Sequence, residues 1–152
     1  GTTGWQDRER DMREQAGHAG IGVLAAANFS LGMHVFAFVV EEAARKFGGL
    51  RGVGAWIHEA HHQAKIDAPS GTALMLQRVM QDAGYPRPID MSSTRAGHIP
   101  GTHEIGFDGP AETVTLTHTV RDRSVFAHGA LEAAKWLKGR RGWFTMRDMI
   151  VS

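Results

Sequence analysis

The residues best suited to chemistry lie in one short segment, residues 58–72 of a 152-residue chain. Residues 58–62 read His-Glu-Ala-His-His, Lys65 follows three residues later, and Ser-Gly-Thr stands at 70–72. A histidine whose pKa is near neutrality can donate a proton, and a neighbouring ammonium group attracts anions and lowers the pKa of the imidazole. This spacing therefore indicates a proton donor beside a site for an anionic molecule.

The second half of that segment is suited to hold an anion. Ser70, Gly71 and Thr72 open a stretch that we predict to be helical, so their backbone N–H groups and two hydroxyls would lie at a helix N-terminus. Gly71 lets an anion approach the backbone closely because it has no side chain. Taken alone, residues 67–70 are equally well explained as a turn and a helix cap. Together with the histidines and the lysine, they predict a site that binds a small dianion and protonates it.

Residues 58–62 also match the zinc peptidase motif H-E-x-x-H, with His58 and His62 as ligands and Glu59 as the base. That motif requires a helix, because the two histidines must lie one turn apart on the same face. The preceding residues 52–57, Gly-Val-Gly-Ala-Trp-Ile, favour a strand, and Pro69 follows within two turns. A zinc metallopeptidase is therefore the least favoured alternative, and we expect no metal site.

The elements that position this segment follow from hydrophobic patterning and helix signals. Residues 5–16 are compatible with a helix, and the apolar run 21–27 is predicted to be a buried strand. Ser30 is a plausible N-cap for an apolar helix over 31–47, which ends at two glycines. Helix, strand and helix in this order are typical of an α/β unit.

The pattern changes after Gly54. We predict strands at 55–59, 89–94, 103–107 and 112–120, the last of which alternates apolar and polar residues. Helices are predicted at 70–83 and 125–138. Several strands with segregated helices predict an α+β fold with a mixed β-sheet and helices on one face.

Composition excludes several classes of protein. The chain has no cysteine, which rules out disulfides and thiolate metal sites and is compatible with a cytoplasmic location, the one we expect. A formal net charge of +1 gives no electrostatic basis for binding nucleic acid or a membrane surface. No apolar run approaches the roughly 18 residues of a membrane span. We therefore expect neither nucleic acid nor membrane as a partner.

The central motif resembles a known family. Residues 59–62 with Lys65 and the run 67–73, Asp-Ala-Pro-Ser-Gly-Thr-Ala, resemble the signature of the dihydrodipicolinate reductase family. Other segments resemble that family in the same order along essentially the whole chain: residues 1–4, 26–30, 95–97, 101–103, 117–118, Arg123 and 126–130. The resemblance implies NAD(P)H-dependent reduction of dehydrated hydroxytetrahydrodipicolinate to tetrahydrodipicolinate, in lysine and diaminopimelate biosynthesis. It also implies a small dicarboxylate substrate, NADH or NADPH as cofactor, and a homotetramer.

The resemblance assigns roles to individual residues. His61 is the implied proton donor, and Lys65 is implied to assist protonation or binding. The residues implied to hold the substrate carboxylates are His62, Ser70, Gly71 and Thr72. Those implied to contact the cofactor are Gly1, Thr2, Thr3, Ala26, Ala27, Asn28 and Phe29.

The chain departs from the family at its beginning. The family opens with a strand and a glycine-rich loop for the pyrophosphate, and neither precedes Gly1, which is not an initiator methionine. We therefore expect residues 1–30 to be a remnant of a Rossmann-type α/β dinucleotide-binding domain, and residues 31–152 to be the substrate-binding, catalytic and oligomerisation domain. Little activity is expected from this chain alone. The alternative is a non-catalytic binding or assembly module of the same fold.

Overall fold

The structure, a computed structural model, describes residues 5–152. The predicted cofactor contacts of Gly1, Thr2 and Thr3 lie outside these residues. Five helices follow a 3-10 turn at Gln6–Arg8: α1 Glu9–Ala19, α2 Leu31–Gly48, α3 Gly71–Asp82, α4 Ser124–Leu137 and α5 Met146–Val151. Six strands lie between the first and the last of these helices: β1 Gly22–Leu24, β2 Gly54–His61, β3 Ile89–Arg95, β4 Thr102–Asp108, β5 Thr113–Thr119 and β6 Gly142–Phe144.

Four strands form a mixed sheet in the order β3-β2-β4-β5. β2 and β3 are parallel, and the connection between them contains α3, as a parallel pair requires. β4 pairs antiparallel with β2 on one side and with β5 on the other. The predicted α+β fold with a mixed sheet is therefore confirmed.

One face of this sheet changes in character along β2. Its first half is apolar, with two buried cross-strand pairs: Ala55 with Phe107 and Ile57 with Ile105. Side chains two residues apart in a strand share a face. The same face therefore continues to Glu59 and His61, which are also buried. The sheet passes directly from hydrophobic core to a polar cluster at its end.

Buried serines cap the two helices for which a serine cap was predicted. The Ser30 hydroxyl accepts the N–H of Met33 at 3.2 Å at the start of α2, and the Ser70 hydroxyl accepts that of Ala73 at 3.1 Å at the start of α3. Each bond satisfies one N–H group that a helix N-terminus otherwise leaves unpaired. No helix within residues 5–152 is long and apolar enough to cross a bilayer.

A second, two-stranded sheet joins β1 and β6 in parallel, with Val23 opposite Trp143. β1 is shorter than the predicted strand 21–27, because the residues after Leu24 leave the ladder. The sequence pattern predicted neither β6 nor α5, since an apolar run of three residues does not establish a period.

The chain forms two compact units. One comprises residues up to His34 together with Ser124–Ser152, and the other comprises Val35–Arg123. The first contains the β1–β6 pair with α1, α4 and α5, and the second contains the four-stranded sheet with α3. The assignment of residues 1–30 and 31–152 to two family domains stays a prediction.

Gly129 of α4 lies directly against the backbone of Phe29, within the first unit. A Cβ atom at position 129 would overlap the carbonyl oxygen of Phe29 and lie 2.8 Å from its carbonyl carbon. Backbone atoms cannot rotate away as a side chain can, so the small residue is what allows this contact. The segment that precedes α2 is therefore held against α4.

We expect Gly129→Ala to destabilise the protein by about 1–3 kcal/mol, because overpacking against backbone outweighs the better helix propensity of alanine. Gly17→Ala is the matched control: position 17 lies in α1 and has open space around an added Cβ, so alanine should stabilise by up to about 1 kcal/mol. Urea unfolding followed by circular dichroism measures both. Equal stabilisation by the two substitutions would show that α4 does not hold the Phe29 segment.

Candidate active site

The polar end of the four-stranded sheet is organised around the carboxylate of Glu59, which is 0% exposed. Arg95 donates to both of its oxygens, from Nη1 at 3.0 Å and from Nη2 at 2.6 Å. The backbone N–H of Ser70 lies 3.3 Å from Oε1, and the Nδ1 atom of His61 bonds to Oε2. Two-point contact with a guanidinium group is the strongest pairing available to a carboxylate.

These partners set the charge of Glu59. Burial by itself would raise the pKa of the carboxyl group, but hydrogen bonds from Arg95, Ser93 and His61 outweigh burial and lower the pKa to about 2. Glu59 is therefore ionised near neutral pH and can only accept hydrogen bonds.

His61 is the last residue of β2 and is 9% exposed. Its Nδ1 faces Glu59, and its ring packs edge-on against that of His103 with 5.1 Å between centroids. Its Nε2 lies beside Gly101, where a Cβ atom would come within 3.2 Å and where the backbone φ of +146° favours glycine. Burial lowers the pKa of His61, whereas the bond to Glu59 acts to raise it.

His103 of β4 completes the cluster from the other side of Glu59. Its Nε2 lies 3.1 Å from the Ser70 hydroxyl, and its side chain is almost fully buried. Burial, followed by the charge of His61, lowers the pKa of His103 to about 4. His103 is therefore neutral near pH 7, in contact with the serine that caps α3.

The loop between β2 and α3 brings predicted anion donors together around a carboxylate of the chain itself. The Nζ of Lys65 lies 2.7 Å from Oδ1 of Asp67, and the backbone N–H of Gly71 lies 3.4 Å from Oδ2. Arg95 also binds this loop, because its Nη2 donates to the carbonyl oxygen of Asp67 at 2.6 Å. Asp67 thus occupies the position that the sequence predicted for a bound anion.

The other predicted substrate residues lie in the same region with different surroundings. His62 is half-buried directly after β2, and Thr72 is half-buried in the first turn of α3. The hydroxyl of Ser70 is buried and already engaged with Ala73 and His103. In this structure Ser70 therefore contributes a helix cap rather than a hydroxyl open to a ligand.

The zinc peptidase alternative is wrong, because the histidines of residues 58–62 do not lie on a helix. In strand β2, His58 points to the opposite face from Glu59 and bonds Ser92 at 3.0 Å. Glu59 and His61 of this segment, together with His103, do bring potential ligand atoms within 4.8 Å of one another. Both oxygens of Glu59 are engaged by Arg95, so a metal ion at that position would have to displace the guanidinium group.

The predicted cofactor residues that the structure describes line a cleft of about 400 Å³ in the first unit. These four residues are Ala26, Ala27, Asn28 and Phe29. The rest of the cleft wall is apolar or aromatic and consists of Trp5, Met12, Val23, Leu24, Ala25 and Trp143. The rings of Trp5 and Trp143 lie 6.2 Å apart, and Arg13 lies 4.6 Å over Trp143. A largely apolar cleft with aromatic walls fits a flat heteroaromatic ring.

Sequence reasoning did not assign roles to Glu59, Arg95 and His103 in the reductase interpretation. One signal was available: Glu59 and His61 stand two apart in a predicted strand, which places both on one face. Arg95 and His103 come from other strands, so their contacts depend on the strand register and not on local spacing.

Comparisons with known proteins identify the family of the chain. The family model described as dihydrodipicolinate reductase, C-terminus, matches residues 32–150. The chain is similar to proteins named 4-hydroxy-tetrahydrodipicolinate reductase. Identity is 35% with that of Christiangramia forsetii, covering 99% of this chain and 67% of the relative. It is 37% with that of Laribacter hongkongensis (99% and 62%) and 38% with that of Caldanaerobacter subterraneus (98% and 65%). The chain thus spans about two thirds of the length of the relatives it matches.

A solved structure shows the same fold. The dipicolinate-bound dihydrodipicolinate reductase from Paenisporosarcina sp. TG-14 superposes with a TM-score of 0.76 at 23% identity, covering 95% of this chain and 61% of the other. With the family model matched over most of the chain, the family resemblance of residues 59–73 is confirmed: this chain belongs to the dihydrodipicolinate reductase family.

Proposed function

We propose that the intact protein reduces dehydrated hydroxytetrahydrodipicolinate to tetrahydrodipicolinate, a step of lysine and diaminopimelate biosynthesis, with NADH or NADPH. The observation that carries this proposal is the carboxylate of Asp67 held between the backbone of Gly71 and Lys65, whose charge also acts on His61. A site that holds a carboxylate next to a histidine fits a dicarboxylate that must be protonated. The relative solved with bound dipicolinate supports the same substrate class.

Lys65 and the N-terminus of α3 bind the substrate carboxylates in this proposal. The ammonium group supplies a positive charge, and the N–H groups of Gly71 and Thr72 supply donors at the positive end of the helix dipole. Because Asp67 already uses Lys65 and Gly71, the substrate has to displace its side chain. Asp67 is exposed, so it can turn into water when displaced.

His61 donates the proton. The reaction adds a hydride and a proton across a double bond conjugated to the imine, and the nicotinamide cofactor supplies the hydride. Burial keeps the pKa of His61 low in the absence of substrate. A bound dianion favours the imidazolium form, so substrate binding itself charges the acid. The bond from Nδ1 to Glu59 leaves Nε2 to deliver the proton.

The cleft lined by Ala26, Ala27, Asn28 and Phe29 receives the nicotinamide ring in this proposal. The side-chain oxygen of Asn28 accepts the N–H of Ser30 at 3.0 Å, and Gly129 supports the backbone of Phe29. These contacts fix the cleft wall before a ligand arrives, which reduces the entropy lost on binding. The homotetramer and the cytoplasmic location implied by the resemblance stay predictions.

Substitution of the two adjacent histidines tests their roles in the intact protein. His61→Gln should lower kcat about 10²–10⁴-fold with little change in KM, because proton donation acts in the transition state. His62→Gln should act mainly on KM, because a residue that holds a carboxylate contacts the ground state and the transition state alike. Steady-state oxidation of NADH or NADPH, with substrate formed in situ, measures both. A normal kcat in His61→Gln would place the proton donor elsewhere.

Calorimetric titration with pyridine-2,6-dicarboxylate tests the anion site. Lys65→Ala should weaken binding by about 10- to 100-fold, because a charged hydrogen bond contributes roughly 1.5–3 kcal/mol. Asp67→Asn should tighten binding, because the internal competitor loses its charge while the loop keeps its length. Lys135→Ala, an exposed lysine of α4, is the control and should leave the affinity unchanged. Weaker binding by Asp67→Asn would show that Asp67 supports the ligand and does not compete with it.

The neutral state of His103 predicts a pH dependence of stability. Its pKa is about 4 in the folded protein and 6.5 when unfolded, so the unfolded chain binds this proton first as the pH falls. The stabilisation of the folded state by neutral His103 is fully present above pH 6.5. It is lost between pH 6.5 and 4, by roughly 3 kcal/mol in total. His103→Gln should flatten the stability profile in this window, measured by urea unfolding at several pH values. Parallel profiles for the two proteins would exclude a neutral, buried His103.

A further inference from the structure

We propose that Glu59 is the positioning residue of this site: its carboxylate holds His61 with the proton on Nδ1 and ties the histidine to the N-terminus of α3 and to the loop that carries Lys65. This inference rests on the proposed function only in taking His61 as the acid. Glu59 is not placed to touch the substrate, because it is fully buried beneath the histidine and the start of the helix.

The bond between Glu59 and His61 fixes which ring nitrogen carries the proton. Glu59 is ionised and can only accept, so the Nδ1 of His61 must be the donor. In a neutral imidazole the other nitrogen then has a lone pair, and protonation of the ring places the new proton on Nε2. A free ring would have no such constraint, and either nitrogen could carry the proton.

Arg95 fixes the carboxylate in turn. Its two terminal nitrogens contact both oxygens of Glu59, and each also donates to a backbone carbonyl, that of Thr94 at 2.8 Å and that of Asp67 at 2.6 Å. The carboxylate therefore cannot rotate without breaking several bonds. Because the Nδ1 atom of His61 bonds to this carboxylate, the orientation of the carboxylate also fixes that of the imidazole ring.

The same carboxylate also locates the anion-binding groups. Oε1 of Glu59 accepts the N–H of Ser70, the residue that caps α3, and Arg95 holds the carbonyl of Asp67. The acid and the donors for an anion are thus fixed relative to one buried group. A displacement of about 1 Å can cost on the order of 10²-fold in rate, so this shared anchor matters for turnover.

The charges around His61 act in opposite directions. The positive charges of Arg95 in β3 and Lys65 in the loop oppose protonation of the His61 ring, whereas the negative charge of Glu59 favours it. His103 of β4 packs edge-on against this ring, and the pKa of His103 is lowered by burial and by His61. Removing the charge of Glu59 leaves these groups unbalanced. The pKa of His61 should then fall, because an opposite charge at contact distance shifts a pKa by about 1–3 units.

The first test uses the unsubstituted chain. Nitrogen-15 NMR of the histidine rings, with chelator present and His61 assigned by comparison with His61→Gln, reports which nitrogen is protonated in the neutral ring. We expect a protonated Nδ1 and an unprotonated Nε2 for His61. A neutral His61 protonated at Nε2 would overturn the proposal, and this result does not depend on the stability of any Glu59 variant.

The second test removes the charge. Glu59→Gln should lower the pKa of His61 by about one unit or more, and Glu59→Asp should restore part of the difference. Glu104→Gln is the matched control, because Glu104 lies in β4 on the opposite face of the same sheet and bonds Thr117. In the intact protein, Glu59→Gln should lower kcat more than it raises KM, because the acid loses its charged partner while the anion-binding groups lose only part of their support. An unchanged pKa of His61 in a folded Glu59→Gln protein would overturn the proposal; if that variant does not fold, Glu59→Asp and the NMR result on the unsubstituted chain decide.

These tests separate the positioning role from the proposed function. The ring protonation and the pKa are measured without substrate or cofactor, so they hold or fail whatever reaction the protein catalyses. If His61→Gln keeps normal turnover while the ring measurements agree with expectation, the assignment of the acid is wrong and the positioning by Glu59 stands. If the ring measurements disagree while His61→Gln abolishes turnover, the acid is correct and Glu59 does not position it.

Discussion

A carboxylate removed from water has to be compensated by hydrogen bonds and positive charge, because the folded state otherwise loses its hydration without replacement. Glu59 meets this requirement with groups from three places in the sequence: His61 at the end of β2, Ser70 at the start of α3, and Ser93 and Arg95 in β3. Each of these partners has to lie within hydrogen-bonding distance of the Glu59 carboxylate, which restricts its position. The strand register, the start of α3 and the orientation of the histidine are thus coupled through a single buried charge.

The loop between β2 and α3, which we propose as the anion site, is also organised by contacts within the chain. Asp67 pairs with Lys65 and with the N–H of Gly71, so the proposed donors are gathered in one place. Such an arrangement keeps the donors close to their working positions and makes ligand binding an exchange of one carboxylate for another. The affinity for a substrate then reflects the difference between two carboxylates, and not the full attraction of either one.

Strong local periodicity made most of the fold predictable. The alternating run at residues 112–120 became β5, and the capped apolar stretch after Ser30 became α2. The short strand β6 was missed because three residues carry no period, and β1 is shorter than its apolar run because its partner β6 pairs with only three residues. In the site, the motif predicted roles for His61 and Lys65, which stay predictions. The contacts of Glu59 with Arg95 depend on the register between β2 and β3, which spacing along one segment does not specify.

The pairing of β1 with β6 joins residues that are far apart in the sequence, since Val23 lies opposite Trp143, and Trp143 forms part of the wall of the cleft. Bringing distant segments together has an entropic cost that grows with the length of chain between them. The four-stranded sheet, by contrast, draws only on residues between β2 and β5. The contacts of Glu59 with Arg95 and of Ser70 with His103 therefore close shorter stretches of chain than the β1–β6 pair that borders the cleft.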